Sequence, residues 1–156
     1  MKSSEAEEPG STDYNERLWR RSRNESILRE TQPQKEVAES GKWSNPSGFF
    51  NNGSQPTKMT MHQFEDHLAV SDDRDTVCIW DWKKQDRLAR FSNGNPEGSK
   101  ISDLKFINED DQAFLMTGSS DGVIRIYRNY DSDKKIELAS ARSEEHTSEL
   151  QSPVLS

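Results

Sequence analysis

A chain of 156 residues with 28 acidic and 21 basic side chains carries a net charge of −7 at neutral pH. Phosphate backbones are bound through a basic face, so this balance argues against nucleic acid as the main partner. Hydrophobic residues make up 29% of the chain, and no run is long and apolar enough for a bilayer span or a signal peptide. The expectation is a soluble cytoplasmic protein with no integral membrane segment. The single cysteine, Cys78, excludes an intramolecular disulfide and is expected to be a buried, inert thiol.

Residues 1–56 carry few aliphatics and are interrupted by Pro9, Gly10, Pro33, Gly41, Pro46, Gly48 and Gly53. Such a segment cannot bury enough surface to offset the entropy of ordering it, so it reads as a disordered linker. Within it, Asn15 to Glu30 could form a short helix capped by Asn15, with Leu18, Trp19, Ile27 and Leu28 as a thin apolar stripe. Trp43, Phe49 and Phe50 are isolated aromatics expected to dock on the neighbouring fold or on a partner. The run Arg21-Ser22-Arg23-Asn24-Glu25-Ser26 fits the Arg-x-Arg-x-x-Ser pattern of basophilic kinase substrates. A phosphate on Ser26 would pair with the arginines around it. The plainer reading is a solvated charged face.

From Thr57 to Ala139 the pattern changes to short strands. Four are predicted at Lys58 to Met61, Leu68 to Ser71, Thr76 to Asp81 and Arg87 to Phe91. Four more follow at Ile101 to Ile107, Phe114 to Ser119, Val123 to Tyr127 and Ile136 to Ala139. In Thr76 to Asp81, alternation puts Val77 and Ile79 on one face and Cys78 and Trp80 on the other, so both faces must be covered. The stretch ends on Trp80-Asp81, the dipeptide that closes the third strand of a WD40 blade. Leu115 to Arg128 lies over Leu68 to Asp81 without a gap at an offset of 47 residues. Blade repeats recur at about 40 to 45 residues. Asp121-Gly122 predicts a tight two-residue turn and Asp72 to Asp75 a looser one, because glycine accepts positive φ. The fold expected is all-β: two antiparallel four-stranded WD40 blades, about 57–98 and 99–139, forming an incomplete propeller after the linker. An unrelated pair of hairpins in a small sandwich is the alternative.

Arg142 to Ser152 reads as one frame of a translated sequencing adapter, so residues 140–156 are expected to be a non-native tail and His146 to belong to no site. No chemistry emerges elsewhere. The acidic clusters Asp72, Asp73, Asp75 and Glu109, Asp110, Asp111 fail the calcium-loop pattern, which needs glycine at position 6 and glutamate at position 12. His62 and His67 lack a second ligand pair of zinc spacing. No nucleophile elbow or phosphate-cradling glycine loop is found. No catalytic, cofactor or metal residue is assigned.

Ala69 to Asp72, Val77 to Trp82, the loop Phe91-Ser92-Asn93-Gly94-Asn95-Pro96, and Asp121 to Tyr130 together resemble the start of the WD40 propeller of the raptor family, the regulatory-associated proteins of the TOR kinase. Generic WD repeats place Gly-His near that loop. Its absence here removes the usual His-to-Asp hydrogen bond, although Asp121 occupies the turn position. The resemblance gives Trp80, Asp81, Asp121, Gly122 and Tyr127 structural WD-repeat roles. It implies a non-catalytic scaffold of TOR complex 1 that supports kinase assembly and substrate presentation in growth signalling. Its partners would be the TOR kinase, the other subunits of the complex and kinase substrates, and recruitment to the lysosomal or vacuolar surface would be open to it. Another WD40 adaptor, such as a ubiquitin-ligase substrate receptor, is the alternative, and an enzyme-associated domain a distant third.

Overall fold

A computed structural model describes residues 10–41, 43–46 and 48–143. They fall into two units, one comprising the chain up to residue 47 together with residues 110–112, the other the rest from residue 48.

The first unit contains α1, Thr12–Thr31, and α2, Gln34–Ser40. It is more regular than its composition suggests. The N-cap of α1 is Ser11, whose hydroxyl accepts from the Tyr14 amide at 3.1 Å; Asn15 lies inside the helix. Asp13 in the first turn and Arg29 in the last complement the helix dipole. The only buried residue of either helix is Asn24, whose side chain donates to the Asp110 carbonyl at 3.0 Å. Arg20 pairs with Asp111, and Arg17 reaches the same carboxylate at 3.3 Å. Residues far along the chain thus supply the partners of the helix, Asp110 through its carbonyl and Asp111 through its carboxylate. Leu18, Trp19, Leu28 and Val37 stay exposed, and what holds α1 is its cap and its charge pairing, not a core.

The second unit is two sheets of four strands. In the first, β1 (Pro56–Met61), β2 (His67–Asp72), β3 (Thr76–Asp81) and β4 (Asp86–Ser92) pair in sequence order, all antiparallel. The second repeats this with β5 (Ile101–Ile107), β6 (Phe114–Ser119), β7 (Val123–Arg128) and β8 (Glu137–Ser143). Even the irregularities recur. The first ladder of each sheet shifts register near its start, between Pro56 and Lys58 and between Ile101 and Asp103. The third strands shift between Ile79 and Trp80 and between Ile126 and Tyr127. Bulges add local twist, so the two sheets are bent at equivalent points.

The period-2 reading of β3 holds: Val77, Cys78 and Ile79 are all almost fully buried. Ala69, Val77, Ile79 and Ala89 of the first blade join Leu104, Phe106, Leu115 and Tyr127 of the second in one core cluster. At the offset of 47, Val77 and Ile79 become Ile124 and Ile126. Ile124 is 41% exposed where Val77 is 0%. Ile124 and Ile126 instead line an open, largely apolar groove of about 480 Å³ with Ile107, Phe114 and Ala139.

β8 runs past the expected end at Ala139, and its ladder pairs Ser140, Ala141, Arg142 and Ser143 with Ile126, Arg125, Ile124 and Val123. Backbone pairing is indifferent to side-chain identity, so the first residues of the adapter-like stretch can complete a strand. The remainder of that stretch, including His146, lies outside the described residues.

Candidate functional site: the junction between the blades

Both β2–β3 and β6–β7 connections leave three residues between their strands, residues 73–75 and 120–122. The expected contrast between a two-residue and a looser turn is therefore not found. Gly122 takes positive φ as anticipated (+86°), and its amide bonds the Ser119 carbonyl at 2.9 Å. The equivalent residue in the first blade, Asp75, takes the same left-handed region at φ +61°. A three-residue loop ending in a left-handed residue explains both. Aspartate tolerates that region better than most residues, but at some cost.

The side chain of Asp75 shows why an aspartate stands there. Its carboxylate accepts from the Asn93 side-chain amide at 3.2 Å and from the Asn95 backbone amide at 2.6 Å, and its carbonyl accepts from the Asn93 amide at 2.8 Å. Asn93, 2% exposed, then reaches into the second blade. Its Oδ1 accepts from the Thr117 hydroxyl at 2.7 Å and the Tyr127 hydroxyl at 2.9 Å, while its carbonyl also accepts from Tyr127 at 3.0 Å. The carboxylate of Asp75 can only accept, which fixes the amide orientation of Asn93. Burial pushes the Tyr127 phenol up to about 12, with Asp75 adding to the shift and Arg125 opposing it.

Asn93 thus fills the place where Gly-His was sought and not found. The aspartate it uses is Asp75, not Asp121, which is exposed and only caps its own turn through the Val123 amide at 3.3 Å. Asp81 likewise caps its own turn, accepting from Lys83 and Lys84 amides at 3.1 and 2.9 Å. Trp80 donates from Nε1 to Asn52 at 3.3 Å and packs on Phe50 with ring centroids 5.3 Å apart. Asn93 stands out in the sequence only as part of the Phe91 to Pro96 loop, with no role of its own, and Asn52 does not stand out at all. The signal that could have found them is the repeated Phe-x-Asn-Gly at Phe50 and Phe91.

Further bonds cross between the blades, from Ser119 and Arg125 to Asn95 and from Arg125 to the Gly94 carbonyl, and away from that loop at three more points. The Tyr130 hydroxyl is hydrogen-bonded to His67 Nδ1 at 2.9 Å, the Arg90 amide donates to Asp133 at 2.8 Å, and the Gln63 amide donates to Glu109 at 2.6 Å. His62 is buried, and its Nδ1 accepts from the Phe64 and Glu65 amides, both at 2.9 Å. These histidines therefore serve packing and turns. Among the described residues no cluster of three or more His, Cys, Asp or Glu could hold a metal ion. No described helix is long and apolar enough to cross a membrane. Cys78 is 1% exposed, and burial raises its thiol pKa. Ser26 lies inside α1, half-buried, and its hydroxyl accepts from Arg29 at 3.2 Å. Arg23, part of the same kinase-like pattern, stacks over Trp19 at 5.2 Å.

No family model matches the chain. It is 54% identical over 141 residues to the Target of rapamycin complex 1 subunit KOG1 of Saccharomyces cerevisiae, covering 90% of the chain and 9% of that protein. It is 43% identical over 141 residues to the Target of rapamycin complex 1 subunit mip1 of Schizosaccharomyces pombe, covering 90% of the chain and 11% of that protein. Among solved structures, Chaetomium thermophilum Raptor superposes with a TM-score of 0.68 at 69% identity, over 71% of the chain and 10% of that structure. The chain therefore spans about a tenth of the length of the relatives it matches. Within that span it is a homologue of the raptor family, corresponding to one segment of its members.

Proposed function

We propose that this chain is part of the non-catalytic scaffold of a TOR complex 1, contributing two successive propeller blades to the subunit that supports kinase assembly and substrate presentation. The carrying observation is 54% identity, across nearly all of the chain, with a protein named as a subunit of that complex. The geometry supports the reading in what it offers chemically. Its polar centre, Asp75–Asn93–Tyr127, with Asn93 and Tyr127 buried, is spent on joining blades, which is the work of a rigid platform. Partners on this reading are the TOR kinase and its complex, met in the cytoplasm or at a vacuolar or lysosomal surface.

The test is affinity purification of the full-length protein from its own cells, with probing for the TOR kinase. Stoichiometric recovery of the kinase is expected, together with loss of substrate phosphorylation when the protein is depleted. Recovery of a ubiquitin ligase without the kinase would overturn the proposal.

A further inference from the structure

The kinase-like stretch Arg21-Ser22-Arg23-Asn24-Glu25-Ser26 lies on the part of α1 that carries the one buried residue of that helix, Asn24. Arg21 and Arg23 stand five and three positions before Ser26. Arg21 is exposed. Arg23 donates from Nε and Nη2 to the Asn24 side-chain oxygen at 3.2 and 3.0 Å. A guanidinium can only donate, so these two bonds fix the orientation of the Asn24 amide and aim its Nδ2 at the Asp110 carbonyl, 3.0 Å away. On the other side, Arg29 Nη2 already donates to the Ser26 hydroxyl at 3.2 Å. That hydroxyl thus has one guanidinium a helical turn before it and another a turn after it.

A serine inside a helix reaches a kinase only when its turn opens. Local opening is easiest where few contacts are buried, and α1 buries Asn24 alone while Leu18, Trp19 and Leu28 face solvent. An isolated helix of this length is marginal in water. The turn that carries Ser26 can therefore open without disturbing a core.

We propose that Ser26 is phosphorylated by a basophilic serine/threonine kinase and that the phosphate is a switch which loosens the hold of α1 on residues 110–112. The γ-phosphoryl group of ATP passes to Ser26 Oγ: the Oγ–P bond forms, the bond from the γ-phosphorus to the bridging oxygen breaks, ADP leaves, and the hydroxyl proton goes to the catalytic carboxylate of the kinase. The product carries a charge of about −1.5 to −2 at neutral pH and three strong acceptor oxygens. Helical side chains lean toward the N-terminus, so the phosphate extends over the turn that holds Arg23, while Arg29 reaches it from behind. Charge-assisted bonds to phosphate are stronger than bonds to a neutral amide oxygen. Arg23 accordingly leaves Asn24, and the amide loses the two bonds that aim it at Asp110. Arg29 is also the basic residue of the last turn, and a phosphate beside it cancels its favourable interaction with the helix dipole. Both effects weaken the same half of α1.

The experiment uses the full-length protein, incubated with magnesium ATP and a kinase that selects arginine three and five positions before serine. One phosphate is expected on the tryptic peptide of residues 24–29, whose only serine is Ser26. Arg21→Gln is expected to lower that incorporation severalfold. Once the site is fully phosphorylated, amide exchange read by mass spectrometry is expected to be severalfold faster in residues 18–28 and 110–112, with no such change in Ser26→Ala treated alike. The same peptide is expected to carry phosphate in protein recovered from its own cells with phosphatases inhibited. A synthetic peptide of residues 18–30 that takes the phosphate while the full-length protein does not would overturn the proposal, because the helix would then shield the site. Unchanged exchange at full occupancy, or no phosphate on residues 24–29 in the recovered protein, would overturn it as well.

Discussion

The phenol of Tyr127 in the second blade is held by Asn93 from the loop that leaves the first, through both the side-chain oxygen and the carbonyl at 2.9 and 3.0 Å. Removing the Asn93 side chain leaves the hydroxyls of Tyr127 and Thr117, both buried, without that acceptor. An unsatisfied buried polar group costs about 1 to 3 kcal/mol. Asn93→Ala is expected to destabilise the propeller by about 2 to 4 kcal/mol in denaturant unfolding. An effect under about 0.5 kcal/mol, the usual range of surface changes, would contradict the assignment.

Asp75 sets a backbone cost against side-chain bonds. Its left-handed φ is unfavourable for any L-residue by roughly 1 to 2 kcal/mol, and glycine is free of that cost. Asp75→Gly and Asp75→Ala both lose the carboxylate contacts to Asn93 and Asn95. The alanine variant is therefore expected to be less stable than the glycine variant by about 1 kcal/mol. Equal stabilities would show that the strain at +61° is not felt.

Tyr127 gives the junction an alkaline limit. Because its pKa is raised to about 12 from the ordinary value of 10.0, the folded state holds the phenolic proton more tightly than the unfolded chain does. Below pH 10 both states are protonated and the contribution is fully present. Between pH 10 and 12 the unfolded chain loses its proton first, and stability falls by about 2 to 3 kcal/mol. Tyr127→Phe is expected to flatten this part of the pH–stability curve. A curve of unchanged slope would exclude the phenol as its source.

The eight strands were legible because a sheet covered on both faces needs β-branched and aromatic residues at period 2, and Val77, Cys78 and Ile79 supply them. The extent of α1 was not. Its stability comes from the Ser11 cap and from Arg17 and Arg20 pairing with Asp111, and a search for an apolar stripe does not register either. The junction was half legible. Asp121-Gly122 marked a turn correctly, but the left-handed Asp75 carries no glycine to announce it, and the bond to Asn93 spans 18 residues. A pattern built on Gly-His passes over an asparagine whose amide reaches the aspartate and whose oxygen accepts from Tyr127.

On the proposed function these two blades are successive parts of a larger propeller. Ile124 is 41% exposed at the position where Val77 is fully buried, so the second blade has an uncovered apolar face. Fully burying a Val or Ile side chain contributes about 1.5 to 3 kcal/mol, a large share of the 5 to 15 kcal/mol that stabilises a small domain. Unpaired strand edges add a template for self-association. The direct measurement is thermal unfolding and size-exclusion chromatography of residues 48–143, compared with the whole propeller. A broad, weakly cooperative transition and concentration-dependent oligomers are expected from the fragment. A sharp two-state transition from a monomer would contradict the claim and make the two blades a self-sufficient domain.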